Sequence, residues 1–155
     1  MAEERVRSLL LLDADADERR LISAVASRAG WSAVGAADCE MANALLQGPH
    51  GREVQAVLLG AWDDEASPKI IAKLREQRER LPIIVLGHGD SVSVAVDAMR
   101  AGASDFLVRP VAPERLLEAL AANADRRKGA GELAPVSEKL APELSLGFGT
   151  STTSG

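Results

Sequence analysis

Aromatic residues are nearly missing from this chain. Among 155 residues only Trp31, Trp62, Phe106 and Phe148 carry an aromatic ring, and tyrosine is absent. That argues against a base-stacking platform for single-stranded nucleic acid. Cysteine occurs once, at Cys39, which excludes an intramolecular disulfide and suits a reducing cytoplasm. Cys39 has no adjacent base or basic cluster in the sequence and reads as inert. No apolar run approaches the ~18 residues of a membrane span. The opening Met1-Ala2-Glu3-Glu4-Arg5 lacks the plan of a secretory signal. Positive charge is in deficit, with a net charge of −5, so neither nucleic acid nor an anionic membrane is expected as the main partner. The two histidines, His50 and His88, have no ligand spacing for zinc. No Walker sequence occurs, and Gly87-His88-Gly89-Asp90 is too short to cradle a phosphate.

What is present is a core. Hydrophobic residues make up 46% of the chain, and a chain of this length buries roughly 70% of its unfolded surface. Short apolar runs alternate with amphipathic segments. The runs from 6 to 12, 31 to 35, 54 to 59, 82 to 86 and 105 to 108 read as strands, with Leu9-Leu10-Leu11-Leu12 typical of a strand buried on both faces. Between them lie helices. The first is capped by Asp15 and carries Leu21, Ile22, Val25 and Ala29 inward; the second is capped by Asp38. The third is expected to start with Ser67 as cap and Pro68 at its first position, with Ile70, Ile71 and Leu74 inward and a basic outer face of Lys69, Lys73, Arg75, Arg78 and Arg80. The fourth, from about Ser91, places Val92, Ala95, Val96 and Met99 inward at i, i+3, i+4, i+7. The fifth starts at Pro113-Glu114, buries Leu116, Leu117 and Leu120, and ends at Arg126-Arg127-Lys128 before Gly129.

Five strands alternating with five helices predict an α/β fold, a three-layer, doubly wound parallel five-stranded sheet of order 2-1-3-4-5. Its site is expected beyond the carboxyl ends of the first and third strands. Residues 1–128 form the expected domain. From 129 to 155 Pro, Gly, Ser and Thr dominate and a flexible tail is expected.

The residues at the strand ends are Asp13, Ala14 and Asp15 after the first, Gly60 after the third, Gly87 after the fourth, and Phe106 with Arg109-Pro110 at the fifth. With the segments LPIIVL at 81–86 and AGASDFLVRPVAPERLLEAL at 101–120, they make residues 6 to 126 resemble the receiver domain of bacterial two-component response regulators. That family shares the flavodoxin-like architecture. In it a strand-end carboxylate accepts a phosphoryl group, Mg²⁺ held by acidic residues neutralises the developing charge, and a hydroxyl and a lysine hold the phosphoryl oxygens. Carried onto this sequence, the acceptor position is Gly60, the acidic pair is Asp13 with Ala14, the hydroxyl position is Gly87 and the lysine position is Arg109.

The resemblance therefore implies a degenerate pseudo-receiver, with no catalytic residue and weak or absent Mg²⁺ binding at the remnant Asp13. Arg109, lacking a phosphate, is expected to pair with Asp13. Leu58-Leu59-Gly60 together with Gly87 is similar to the degenerate receivers of flagellar activators among enhancer-binding proteins. The module is expected to act by phosphorylation-independent contact, with a protein partner or as a homodimer, through the face of the fourth helix, fifth strand and fifth helix. Val94 and Phe106 are the residues expected there, Phe106 matching the family's switch aromatic. Two alternatives stand beside this. One is a phosphorelay receiver that uses Asp63, Asp64 or Asp15 as acceptor. The other is a small-ligand binder that uses space vacated between Gly60 and Gly87.

Overall fold

The structure is a computed structural model that describes residues 7–88 and 92–132, with side chains to residue 123. The elements are β1 (Arg7–Leu12), α1 (Ala16–Arg28), β2 (Trp31–Ala36), α2 (Cys39–Gln47), a 3₁₀ turn (Gly51–Glu53), β3 (Val54–Gly60), α3 (Ala66–Gln77), β4 (Ile83–His88), α4 (Val92–Ala101), β5 (Asp105–Arg109) and α5 (Pro113–Glu132). All strands pair in parallel, in the order β2-β1-β3-β4-β5. The expected topology is the observed one. Among the described residues no helix is long and apolar enough to cross a membrane.

The sheet divides the core in two. On one side Leu10, Leu12, Val57, Leu59, Ile83 and Val85 pack against α2, α3 and Ala98 of α4. On the other, Leu9, Leu11, Leu58, Ile84 and Leu86 meet Ile22 and Ala26 of α1 and Leu116, Ala119 and Leu120 of α5. Alternate residues of β1, β3 and β4 thus serve opposite layers, which is why these inner strands are apolar without a polar face. Asp15 caps α1, accepting from the N–H groups of Asp17 and Glu18, and Asp38 caps α2, accepting from Met41 N–H.

Several expected details are corrected. Leu21 and Leu117, assigned inward, are exposed; Ala26 and Ala119 take the buried places. The strands β3 and β4 run one and two residues further than expected, so Gly60 and Gly87 lie inside them. Ser67 does not cap α3. It sits within the helix, buried, where its Oγ accepts from Asp63 N–H at 2.9 Å, while Asp63 Oδ2 accepts from Glu65 and Ala66 N–H. Asp63, set just ahead of the helix, thus supplies the capping carboxylate that Ser67 was expected to replace.

Arg75 and Arg78 do not belong to a free basic face. Arg75 donates to Gly102 O at 2.8 Å and to the carbonyls of Glu79 and Leu81, and Arg78 donates to Gly51 O at 3.0 Å. Burial pushes the Arg75 guanidinium below its ordinary pKa, with Glu79 partly opposing. The last helix continues past Gly129 to Glu132, since glycine weakens a helix by about 1 kcal/mol without itself imposing a stop. The expected tail lies almost wholly in 133–155, outside the described residues.

Candidate functional site

The carboxyl ends of β1, β3, β4 and β5 converge on a small group of charged side chains. Asp13 follows β1 directly and is buried. Its N–H donates to Ala36 O at 3.0 Å, which fixes the backbone to the neighbouring strand end. Asp13 Oδ1 accepts from Asp15 N–H at 3.0 Å. Asp13 Oδ2 faces Arg109 Nη2 at 3.2 Å, with the two side chains only 2% and 7% exposed. Arg109 Nη1 pairs with Glu18 in the first turn of α1, and Arg19 Nη1 donates to Asp13 O at 2.6 Å. The pairing of Arg109 with Asp13 expected from the sequence is present. Glu18 and Arg19 were missed, although the Asp15 cap fixes the start of α1 and so sets its first turn beside the strand end.

Removing one member of a buried ion pair costs about 3–5 kcal/mol, because it strands the other charge. The Arg109–Asp13 pair is therefore costly to break. It also fills space. A Cβ built at Gly60 would meet Asp13 Oδ2, would stand 2.5 Å from Arg109 Nη2 and 2.9 Å from Asp13 Cγ. Real Cβ contacts of that length essentially never occur, so a side chain at position 60 has no room while the pair holds.

Gly87 is closed in a similar way. A Cβ there would stand 2.5 Å from Cζ and 2.8 Å from Cε1 of Phe106. The ring, half-buried, lies over the glycine and packs on the core layer of α2, α3 and α4. The vacated space that a small-ligand reading placed between Gly60 and Gly87 is thus taken at one end by Asp13 and Arg109 and at the other by Phe106. That expectation is corrected. A shallow cleft of about 240 Å³ does touch Asp13 and Gly60, but it opens toward Ala37, Cys39, Ala66 and Ile70 on the α2–α3 side.

The remaining acids are occupied. Asp15 and Asp63 hold backbone N–H groups at helix starts, and Asp64 Oδ1 accepts from Trp62 Nε1 at 2.9 Å. Ala14 contributes only a methyl group. Among the described residues no three His, Cys, Asp or Glu side chains are placed to hold a metal ion. His50 is exposed and lies 3.4 Å from Glu53, and His88 is exposed at the end of β4. Cys39 is half-buried, with Asn43 Nδ2 3.8 Å from its sulfur.

The α4 helix is rotated from its expected setting. Val92, Val96 and Met99, assigned to the core, are 74%, 41% and 47% exposed, whereas Val94, assigned to the partner face, is half-buried. Ala98 is the buried residue of the helix and Ala101 packs on the same core layer, with Val94 and Ala95 half-buried. With β5 as the sheet edge, small residues let the helix sit close to it. Phe106 belongs to the half-buried layer beneath, while Val108 of β5 and Leu117 of α5 are 45% and 43% exposed.

The family model for the response regulator receiver domain matches residues 9–121. The alginate biosynthesis transcriptional regulatory protein AlgB of Pseudomonas aeruginosa is 29% identical over 127 residues, covering 81% of this chain and 27% of AlgB. The response regulator protein TmoT of Ectopseudomonas mendocina is 42% identical over 74 residues, 47% of this chain and 30% of TmoT. The chain thus spans less than a third of the length of these relatives. Among solved structures, NtrX from Brucella abortus in complex with ATP superposes with a TM-score of 0.72 at 23% identity, over 90% of this chain and 32% of that one. A response regulator receiver protein from Pseudomonas putida superposes with a TM-score of 0.64 at 28% identity, over 77% of this chain and 99% of that one.

Proposed function

Since the chain belongs to the response regulator receiver family, we propose that it is a degenerate receiver that signals by protein–protein contact, without phosphorylation and without catalysis of its own. The observation that carries this reading is the state of position 60. It has no side chain, and the ends of the paired Asp13 and Arg109 side chains stand where a Cβ would begin one. Phosphoryl transfer depends on a fixed in-line geometry and on charge neutralisation, and both are missing with the acceptor.

The contact surface proposed is the one formed by α4, β5 and α5. Val92, Val96 and Met99 leave an apolar stripe on α4, with Val108 and Leu117 exposed on the two neighbouring elements. Apolar exposure gathered on adjacent elements supports a contact face better than single scattered residues do. The partner is a protein or a second copy of this chain. Several relatives are named as transcriptional regulatory proteins, which supports a cytoplasmic role in transcriptional control. The Leu58-Leu59-Gly60 and Gly87 combination favours a flagellar setting within it. The rival reading, a phosphorelay receiver using Asp15, Asp63 or Asp64, gains no support from carboxylates already engaged in caps and local hydrogen bonds.

Beryllofluoride, which adds to acceptor aspartates as a phosphoryl mimic, provides the test. With Mg²⁺ present, the backbone amide resonances around Gly60, Gly87 and Phe106 are expected to stay in place. A saturable shift of those resonances would overturn the proposal.

A further inference from the structure

The chemistry of the family calls for a divalent cation between carboxylates at the ends of β1 and β3, and the residues present here do not fit one. Gly60 and Ala14 offer no side-chain oxygen. Asp13 has Oδ1 committed to Asp15 N–H and Oδ2 to Arg109. Yet the place is not without positive charge. The Arg109 guanidinium lies there, 7% exposed, approached by Asp13 from the end of β1 and by Glu18 from the first turn of α1. Two carboxylates from separate elements converge on it much as acidic ligands converge on a hard cation. The Nε has no acceptor among the described residues, so the ion pairs to Asp13 and Glu18 are its anchorage.

We infer that Arg109 is the resident cation of this site, with Asp13 and Glu18 as its ligands, and that it takes over the organising role of a metal ion. The guanidinium ties the ends of β1 and β5 and the start of α1 into one arrangement that needs neither metal nor phosphoryl group. This rests on the reading of the site as one without a phosphoacceptor, and adds what replaces the lost chemistry. Arginine suits the task better than lysine. Its planar fork reaches two carboxylates at once, Nη2 toward Asp13 and Nη1 toward Glu18, which a point-like ammonium on a flexible stem does less well.

The test is exchange of one cation for another. Arg109→Ala leaves Asp13 and Glu18 facing an empty place. Its melting temperature is expected to fall by roughly 10 °C, and about 10 mM Mg²⁺ is expected to recover roughly 4 °C of that loss while leaving the wild type unchanged. Equal Mg²⁺ response of variant and wild type, or no loss on substitution, would overturn the assignment. Should the variant not fold, the wild type alone decides. Trp62, two residues beyond Gly60, is expected to show no Mg²⁺-dependent change in fluorescence, and a saturable millimolar response would overturn the inference. Phosphate uptake is a separate readout, so this inference can fail while the phosphorylation-independent reading stands.

Discussion

Gly60 and Arg109 act as a pair. The absence of a side chain at one makes room for the guanidinium of the other, so restoring the missing carboxylate alone does not restore the site. Gly60→Asp forces a third carboxylate beside Asp13 in a buried space that is already full. Overpacking costs about 1–3 kcal/mol, and the like charge adds to it. The expected outcome is a loss of about 2 kcal/mol or more in urea unfolding, with no phosphate uptake; a gain in stability would contradict the geometry. The sequence already exposed Asp13, Gly60, Gly87 and Arg109, because strand ends in a doubly wound sheet share one edge. It did not expose Glu18, whose partner is 91 positions away. The place of Gly87 opposite Phe106, with space for an inward ring, was open to sequence reading, and the ring does lie over the glycine.

At the scale of elements, helices were easier to place than to orient. On α4 two stripes compete, one of larger residues through Val92, Val96 and Met99 and one of smaller residues through Val94, Ala98 and Ala101. Hydrophobicity favours the first, but it is Ala98 and Ala101 that meet the core. Aspartate substitution separates the two settings. Val94→Asp is expected to cost about 1–3 kcal/mol in urea unfolding, as a charge entering a half-buried layer does. Val96→Asp is expected to stay within about 0.5 kcal/mol and to weaken any contact made through that face. The reverse order would return α4 to the orientation expected from the sequence. On α3 a similar limit applies. Arg75 and Arg78 look like surface charge in sequence, yet each turns back to backbone carbonyls in a turn or loop, and only tertiary structure reveals those acceptors.

For the whole molecule, the parallel sheet and its order were legible because apolar strands and amphipathic crossovers repeat at regular spacing, and right-handed connection leaves few alternatives. The four strand-end positions on which the proposed loss of chemistry rests were legible too, and the fold brings them to one edge of the sheet. What the fold adds is closure. Instead of an open pocket with missing residues, the edge of the sheet holds a buried ion pair at one end and an aromatic ring at the other. On the proposed reading such a domain would present its α4–β5–α5 face without a phosphorylation step, and signalling would depend on the availability of its partner. The most direct measurement is the intact mass of the protein after incubation with acetyl phosphate and Mg²⁺, alongside a competent receiver as positive control. The account predicts no phosphoryl gain in this chain while the control is labelled. A stable, Mg²⁺-dependent gain of one phosphoryl group would contradict it and direct attention to Asp15, Asp63 and Asp64.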